Sequence, residues 1–282
     1  MTRRICVITG AAGGLGAALA ERAVHEGYDL VLHGRTEPKL AALRDRLVSD
    51  TPELKVEIMV GNLDTAAGAR GVAAKITKRV PEIDLLINNA GVLLDGVQMS
   101  PDGLEMHTQV NLISPYILMQ SLKPNVSRAR GAIINVSSGS ALRAQDLSAK
   151  QLTRPDKAQK LTGSYARSKL ALSVITHALG GEFAANNVTL ASADPGPNKT
   201  GMTSGDGMPA FLLLIRPLIY TPPEKGAEKI FDALRAAESS SQPGAFYAGR
   251  KVKNIPEFAQ SSETANMLLA FCETQASLSQ AA

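Results

Sequence analysis

Short runs of Val, Ile and Leu recur along this chain between longer stretches of helical periodicity, and that alternation limits the fold more than any other feature. The runs are 5–9, 29–33, 55–60, 85–88, 132–136 and 189–193. Strands that are apolar along their whole length belong to a sheet buried on both faces. Such a sheet is parallel, because each crossover lays a helix against it. The spacing between the runs predicts helices over 15–25, 37–49, 65–79, 103–122, 164–185 and 223–237, and a last one over 262–275. No repeat, low-complexity tract or linker divides the chain. The expectation is an α/β protein with one doubly wound parallel-sheet domain over residues 1–282, helices on both faces, and an excursion at 200–222.

With 44% hydrophobic and 20% charged residues, the chain has enough apolar material for a sizeable core. Its formal charge of +4 comes from Lys and Arg that are scattered among acids, which argues against a nucleic-acid partner. Cys6 and Cys272 stand near opposite ends and supply neither a disulfide framework nor a metal motif, which points to a reducing compartment. His25, His33, His107 and His177 show no convergent ligand spacing, so no metal is expected and packing or surface roles are assigned to them. Glycines at 10, 13, 14 and 16 interrupt any secretory apolar region. The apolar residues Phe211–Ile215 and Leu218–Tyr220 are broken by Arg216-Pro217 and are too short to span a bilayer. The expected location is cytoplasmic, and without a secretory signal the acceptor-like triplets at Asn125 and Asn198 carry little meaning.

The first strand runs into Thr9-Gly10-Ala11-Ala12-Gly13-Gly14-Leu15-Gly16 and then an Ala-rich helix. Glycines there permit a tight turn and a close approach of backbone to a pyrophosphate, while the helix N-terminus offers free N–H groups. A Gly-rich loop alone is a weak signal, but its place between the first strand and first helix is that of a Rossmann dinucleotide site. The second strand ends His33-Gly34-Arg35-Thr36, with no carboxylate at Gly34 to hold a ribose 2′-hydroxyl. The Arg35 guanidinium can instead fork onto a 2′-phosphate, which favours NADP(H) over NAD(H). The alternative is a solvated arginine at the start of a helix.

Tyr165 and Lys169 stand four residues apart on a predicted helix and so share a face. A phenol ionises near pH 10 unperturbed, and a neighbouring ammonium favours the phenolate. Alone, a Tyr and a Lys at this spacing are more often a chance occurrence than a catalytic pair.

Taken in order, Thr9–Gly16, Asn88-Asn89-Ala90-Gly91, Asn111, Ser137-Ser138, Tyr165 with Lys169, and Pro195-Gly196 resemble the short-chain dehydrogenase/reductase family over nearly the whole chain. The resemblance implies Tyr165 as general acid or base, Lys169 lowering its pKa and holding the nicotinamide ribose, and Ser138 rather than Ser137 bonding the substrate oxygen. It implies a water held by Asn111 in a proton relay through Lys169. Cofactor contacts are implied at Gly10, Gly14, Leu15, Gly16, Arg35, Asn62, Leu63, Asn89, Ala90, Gly91, Tyr165, Lys169, Pro195, Gly196 and Thr200. Asn62 replaces the family's usual acid after the third strand, and Asn198 replaces a usual aliphatic residue.

The stretch from Ser138 to Tyr165 is longer than is common in the family. With the residues at 164–171, 223–227 and 244–251 it resembles the branch of retinol dehydrogenases and protochlorophyllide reductases, without fixing a substrate. The partners implied are a small carbonyl or alcohol substrate and a second copy of the chain, as homodimer or homotetramer. A catalytically silent NADP(H)-sensing protein would be expected to lack part of the Ser, Tyr and Lys set, and an epimerase would carry a different glycine loop and a larger C-terminal part. The apolar segment Met208–Tyr220 suggests a substrate lid and a lipophilic ligand, with a subunit or membrane contact as alternatives.

Overall fold

The computed structural model describes residues 3–157, 163–198 and 221–278. Its strands are β1 (Arg4–Thr9), β2 (Tyr28–Gly34), β3 (Val56–Val60), β4 (Leu85–Asn88), β5 (Ala132–Val136), β6 (Thr189–Asp194), β7 (Phe246–Ala248) and β8 (Lys251–Val252). They form one sheet in the order β3-β2-β1-β4-β5-β6-β7-β8. Every neighbouring pair is parallel except the β7–β8 hairpin. Because β1 lies between β2 and β4, the order of strands reverses there, and the reversal opens a crevice at the carboxyl ends of β1 and β4.

The helices are α1 (Gly14–His25), α2 (Glu37–Asp50), α3 (Ala66–Arg79), α4 (Met106–Thr108), α5 (Ser114–Ala129), α6 (Ala149–Thr153), α7 (Ser164–Ala185), α8 (Pro223–Glu238) and α9 (Ser262–Leu278). Successive strand residues point to opposite faces, so Ile8 and Val7 enter different cores. Ile8, Leu30 and Leu32 pack with Leu19, Leu40 and Phe231 on the side of α1, α2 and α8. Val7, Val31 and Leu86 pack with Ile76, Ile117 and Leu172 on the side of α3, α5 and α7. Helix α7 is buried on nearly all sides because α9 supplies Leu268 and Cys272 to its outer face, which accounts for its small and apolar residues.

Several expectations need correcting. The helix predicted over 103–122 starts at Met106 and ends at Ala129. Gly103 has φ +73°, a left-handed turn conformation, and the Ser100 N–H bonds back to Leu104, so the chain turns before the helix begins. Between α4 and α5 the residues Gln109–Ile113 form a π-turn. Neither β7 nor β8 was anticipated, and β8 makes the sheet mixed at that edge. The short helix α6 lies in the long Ser138–Tyr165 spacer, anchored by buried Leu147 and Leu152 and by an Arg167–Asp146 ion pair.

The expected lid at 200–222 falls almost wholly outside the described residues, as does Thr200. Its flanks are described: the Thr221 N–H donates to the Pro197 carbonyl at 2.9 Å, and Asn198 and Thr221 form a bridge. The chain therefore departs after Asn198 and rejoins at the same point.

Candidate active site

The loop after β1 is built for close approach. Gly10 has φ +66°, and a Cβ there would stand 2.9 Å from the Ala90 Cα. The Thr9 hydroxyl accepts from the N–H groups of both Asn89 and Ala90 at 3.0 Å, and the Asn89 amide donates to the carbonyls of Thr9 and Gly10. This stitching fixes the β1 and β4 loops side by side at the strand-order reversal. Helix α1 follows with Gly14, Leu15 and Gly16 in its first turn, and its N-cap, Gly13, has no side chain to occupy the free N–H groups. An uncapped N-terminus beside glycines suits a phosphate.

At the end of β2, a Cβ on Gly34 would lie 3.2 Å from Leu40 Cδ2, so a carboxylate has little room there. Arg35 is exposed, and among the described residues no acid pairs with it. His33 beside it is buried, and that burial lowers its pKa to about 4, leaving a neutral ring whose Nε2 lies 3.3 Å from the Gly61 carbonyl oxygen. Asn62 is exposed after β3: its Oδ1 accepts from Leu63 N–H and its Nδ2 donates to Asp64. Leu63 is buried in the core.

The second cluster lies at the carboxyl ends of β4, β5 and β6. The Lys169 ammonium is buried and donates to the Val136 carbonyl at 2.7 Å. Burial lowers its pKa to about 8. Asn111, in the π-turn, accepts from Val92 N–H through Oδ1 and donates through Nδ2 to the Val92 carbonyl and the Ser168 hydroxyl. The two groups meet over Gly91, where an added Cβ would stand 3.1 Å from Asn111 Oδ1 and 3.5 Å from Lys169 Nζ. Tyr165 is half-buried one turn before Lys169.

The two serines differ. Ser137 is buried, donates to the Lys169 carbonyl and contacts the Ser173 hydroxyl at 2.8 Å, so it fastens β5 to α7. Ser138 is half-exposed at the start of the Gly139–Arg143 turn, where its hydroxyl accepts from Ser140 N–H. One oxygen of Asp194 accepts from Gly196 N–H, while the other lies 3.0 Å from the Cβ position of Gly139. The Ser138 turn and the Pro195-Gly196 turn are thus adjacent.

The sequence profile of the short chain dehydrogenase family matches residues 4–150. The chain belongs to that family. Among its relatives, human retinol dehydrogenase 13 is 27% identical over 276 residues, which cover 94% of this chain and 82% of the relative. A protein from Mycobacterium paratuberculosis shares the fold with a TM-score of 0.75 at 24% identity, covering 97% of this chain and 93% of the other. A short-chain dehydrogenase from Sphingobium yanoikuyae, solved in complex with NADPH, matches at 0.66 and 23% identity, covering 83% and 85%.

The chain is thus an oxidoreductase of a kind that binds a nicotinamide dinucleotide, and its glycine loop and Lys169 cluster both border the Asn89–Gly91 segment. Sequence reading missed Thr9, whose hydroxyl joins the β1 and β4 loops, and the Glu105–His107 pair beside Tyr165. Thr9 could have been found from its place at the head of the loop; the pair is visible only in three dimensions. Asn198, the other departure from the family's pattern, is buried and donates to the carbonyls of Pro195 and Gly196, which an aliphatic residue could not satisfy. Among the described residues no cluster could hold a metal ion and no helix is long and apolar enough to cross a membrane.

Proposed function

We propose that this short-chain dehydrogenase interconverts an apolar aldehyde or ketone and its alcohol with NADP(H), and that Tyr165 exchanges the proton. The observation that carries the reading is the buried Lys169 ammonium, fixed on the Val136 carbonyl one helical turn from Tyr165 and beside Gly91 and Asn111. Bound at this crevice, the dinucleotide supplies or takes up the hydride at its nicotinamide ring. The crevice suits such a group: the α1 N-terminus is uncapped, Gly10 and Gly16 have no space for a side chain, and Arg35 has no acid partner among the described residues.

In the reducing direction the Tyr165 hydroxyl donates a proton to the substrate oxygen, and in the oxidising direction the phenolate takes one. The Lys169 charge favours the phenolate and sits where a nicotinamide ribose would pass. Ser138, the serine whose hydroxyl is not committed to α7, donates to the substrate oxygen. Asn111 has its amide committed to Val92 and Ser168, so a water in the proton relay sits on its backbone carbonyl or on the remaining lone pair of Oδ1. Arg35 takes the 2′-phosphate; the NADPH complex of the Sphingobium protein, which shares the fold, supports NADP(H) as the cofactor. Gly10, Gly14, Leu15 and Gly16 hold the pyrophosphate; Asn62, Leu63, Asn89, Ala90 and Gly91 the adenosine side; Pro195, Gly196 and Thr200 the nicotinamide side.

Preference for an apolar substrate rests on the half-exposed Leu93 and Leu94, on exposed Val97 and Leu142, and on the apolar sequence of Met208–Tyr220. The decisive experiment is Tyr165→Phe, assayed by NADPH absorbance against a panel of carbonyl compounds. Turnover should fall by roughly 10²–10⁴-fold, the usual worth of general acid–base catalysis, while folding and NADPH binding persist. A variant keeping more than about half of the wild-type kcat, well outside that range, would sink the assignment.

A further inference from the structure

Glu105 is fully buried and His107 is 3% exposed, and neither has a place in the chemistry above. His107 Nδ1 lies 2.6 Å from Glu105 Oε1, and its Nε2 lies 3.0 Å from the Leu94 amide nitrogen. A backbone N–H can only donate, so Nε2 accepts, and the ring is the neutral tautomer whose Nδ1–H donates to Glu105. The second carboxylate oxygen accepts from Thr108 N–H at 3.0 Å, at the start of α4. Both ring nitrogens are committed to hydrogen bonds within the protein, so His107 has no free polar atom to offer a substrate and its contribution is one of position.

The ring joins two parts of the site. Through Leu94 it grips the loop after β4, which is also held at Val92 by Asn111 and at Gln98 by the Met106 N–H. All of these grips come from the short stretch 105–111. The imidazole also meets the Tyr165 ring edge-on, with centroids 6.2 Å apart and planes at 74°. The loop therefore lies beside Tyr165, and its half-exposed Leu93 and Leu94 and exposed Val97 give that flank an apolar surface.

We infer that Glu105 and His107 are a positioning pair: they hold the loop 92–98 so that its Leu93, Leu94 and Val97 form an apolar wall of the substrate cleft, and they set the Tyr165 ring against it. The inference deepens the proposed function and rests on Tyr165 as the proton-exchanging group.

The test compares His107→Ala, His107→Gln and Glu105→Gln by three readouts: amide hydrogen exchange over residues 92–98, NADPH affinity by fluorescence, and steady-state kinetics on an apolar aldehyde. In His107→Ala the Leu94 N–H loses its acceptor, so its exchange should quicken and KM for the aldehyde should rise about tenfold, the factor one hydrogen bond gives. NADPH affinity should stay within about twofold, less than that bond's worth. Glutamine carries both a donor and an acceptor, so His107→Gln should recover much of the Leu94 protection and of KM. A filler role would lower the melting temperature and leave the KM of the folded enzyme unchanged.

Unchanged exchange at Leu94 in His107→Ala would overturn the grip, and quickened exchange with unchanged KM would overturn the wall. Should His107→Ala fail to fold, Glu105→Gln, which conserves volume but cannot accept from both His107 and Thr108, carries the same three readouts. Retained turnover in Tyr165→Phe would instead remove the proposed chemistry, and the exchange result would stand apart from it.

Discussion

Gly16 sits over the Gly10 carbonyl so closely that a Cβ on Gly16 would stand 2.1 Å from that oxygen. The contact is with backbone, which no rotamer change can relieve. Gly16→Ala should therefore open the β1–α1 turn, lower thermal stability, and weaken NADPH binding by more than about tenfold, since the phosphate-facing N–H groups would shift. Gly13→Ala is the control, because its Cβ would lie an ordinary 3.6 Å from the same oxygen. Calorimetric titration and melting of both variants check this: equal behaviour would show that the turn tolerates a side chain at either place.

Arg35 decides the cofactor if the 2′-phosphate reading is right. Losing a charged hydrogen bond costs roughly 1.5–3 kcal/mol, which is on the order of tenfold to a hundredfold in affinity. Arg35→Ala should lose that much for NADPH and little for NADH. An equal loss for both, or a wild-type preference for NADH, would refute it.

Lys169 gives a pH dependence whose direction follows from burial. Its ammonium ionises at about 8 in the folded protein against 10.5 for an unperturbed lysine. Between those values the unfolded chain binds more protons, so stability rises with pH. The penalty for burying the charge is full below about pH 8, shrinks as pH climbs, and is gone above about 10.5; at 1.36 kcal/mol per pH unit it amounts to about 3 kcal/mol. Urea unfolding of the cofactor-free protein should show wild type gaining on Lys169→Met between pH 7 and pH 10, by up to about that amount. A gap that does not change with pH would contradict a buried ammonium. The variant should also lose turnover and bind NADPH more weakly.

Where the sequence was legible, the signal was local. β4, β5 and α7 fall within the bounds their apolar runs and periodicity predict: the two strands are buried on both faces and apolar except for Asn88 and Asn135, which bond to each other. β7 was hidden because it has only three residues, Phe246-Tyr247-Ala248, between Gly244 and Gly249 with positive φ, too few for a period to show. Its place in the sheet depends instead on α7: a Cβ on Gly180 would stand 2.5 Å from the Pro243 carbonyl carbon, a contact across a long stretch of chain. At the site, the glycine loop could be read from spacing, whereas the different tasks of Ser137 and Ser138 follow from which way β5 turns each hydroxyl. From sequence His107 has only a packing or surface role and Glu105 none, because the contacts that join them to the site, Leu94 and Tyr165, come from other loops and helices.

Substrate class yields the last prediction. Leu93, Leu94 and Val97 lie on the loop that His107, itself against Tyr165, holds through the Leu94 N–H, and Leu142 is exposed in the turn that Ser138 begins. Burial of apolar surface is worth about 25 cal/mol per Å², or about 0.8 kcal/mol per methylene. Across a homologous series of straight-chain aldehydes, kcat/KM should therefore rise by up to roughly fourfold per added methylene until the cleft is filled. Val97→Ser and Leu142→Ser should flatten that slope while leaving the shortest aldehyde nearly unaffected, because only the longer chains reach them. Phe211→Ser and Leu214→Ser extend the comparison to the apolar segment that follows the Pro195-Gly196 turn. A slope that falls only in the first pair places the apolar contacts on the 92–98 loop and the Ser138 turn; one that falls in both pairs adds the later segment to the cleft. A flat series in the wild-type protein would remove the apolar substrate from the proposal and leave the hydrophobicity of 208–220 to association with another surface.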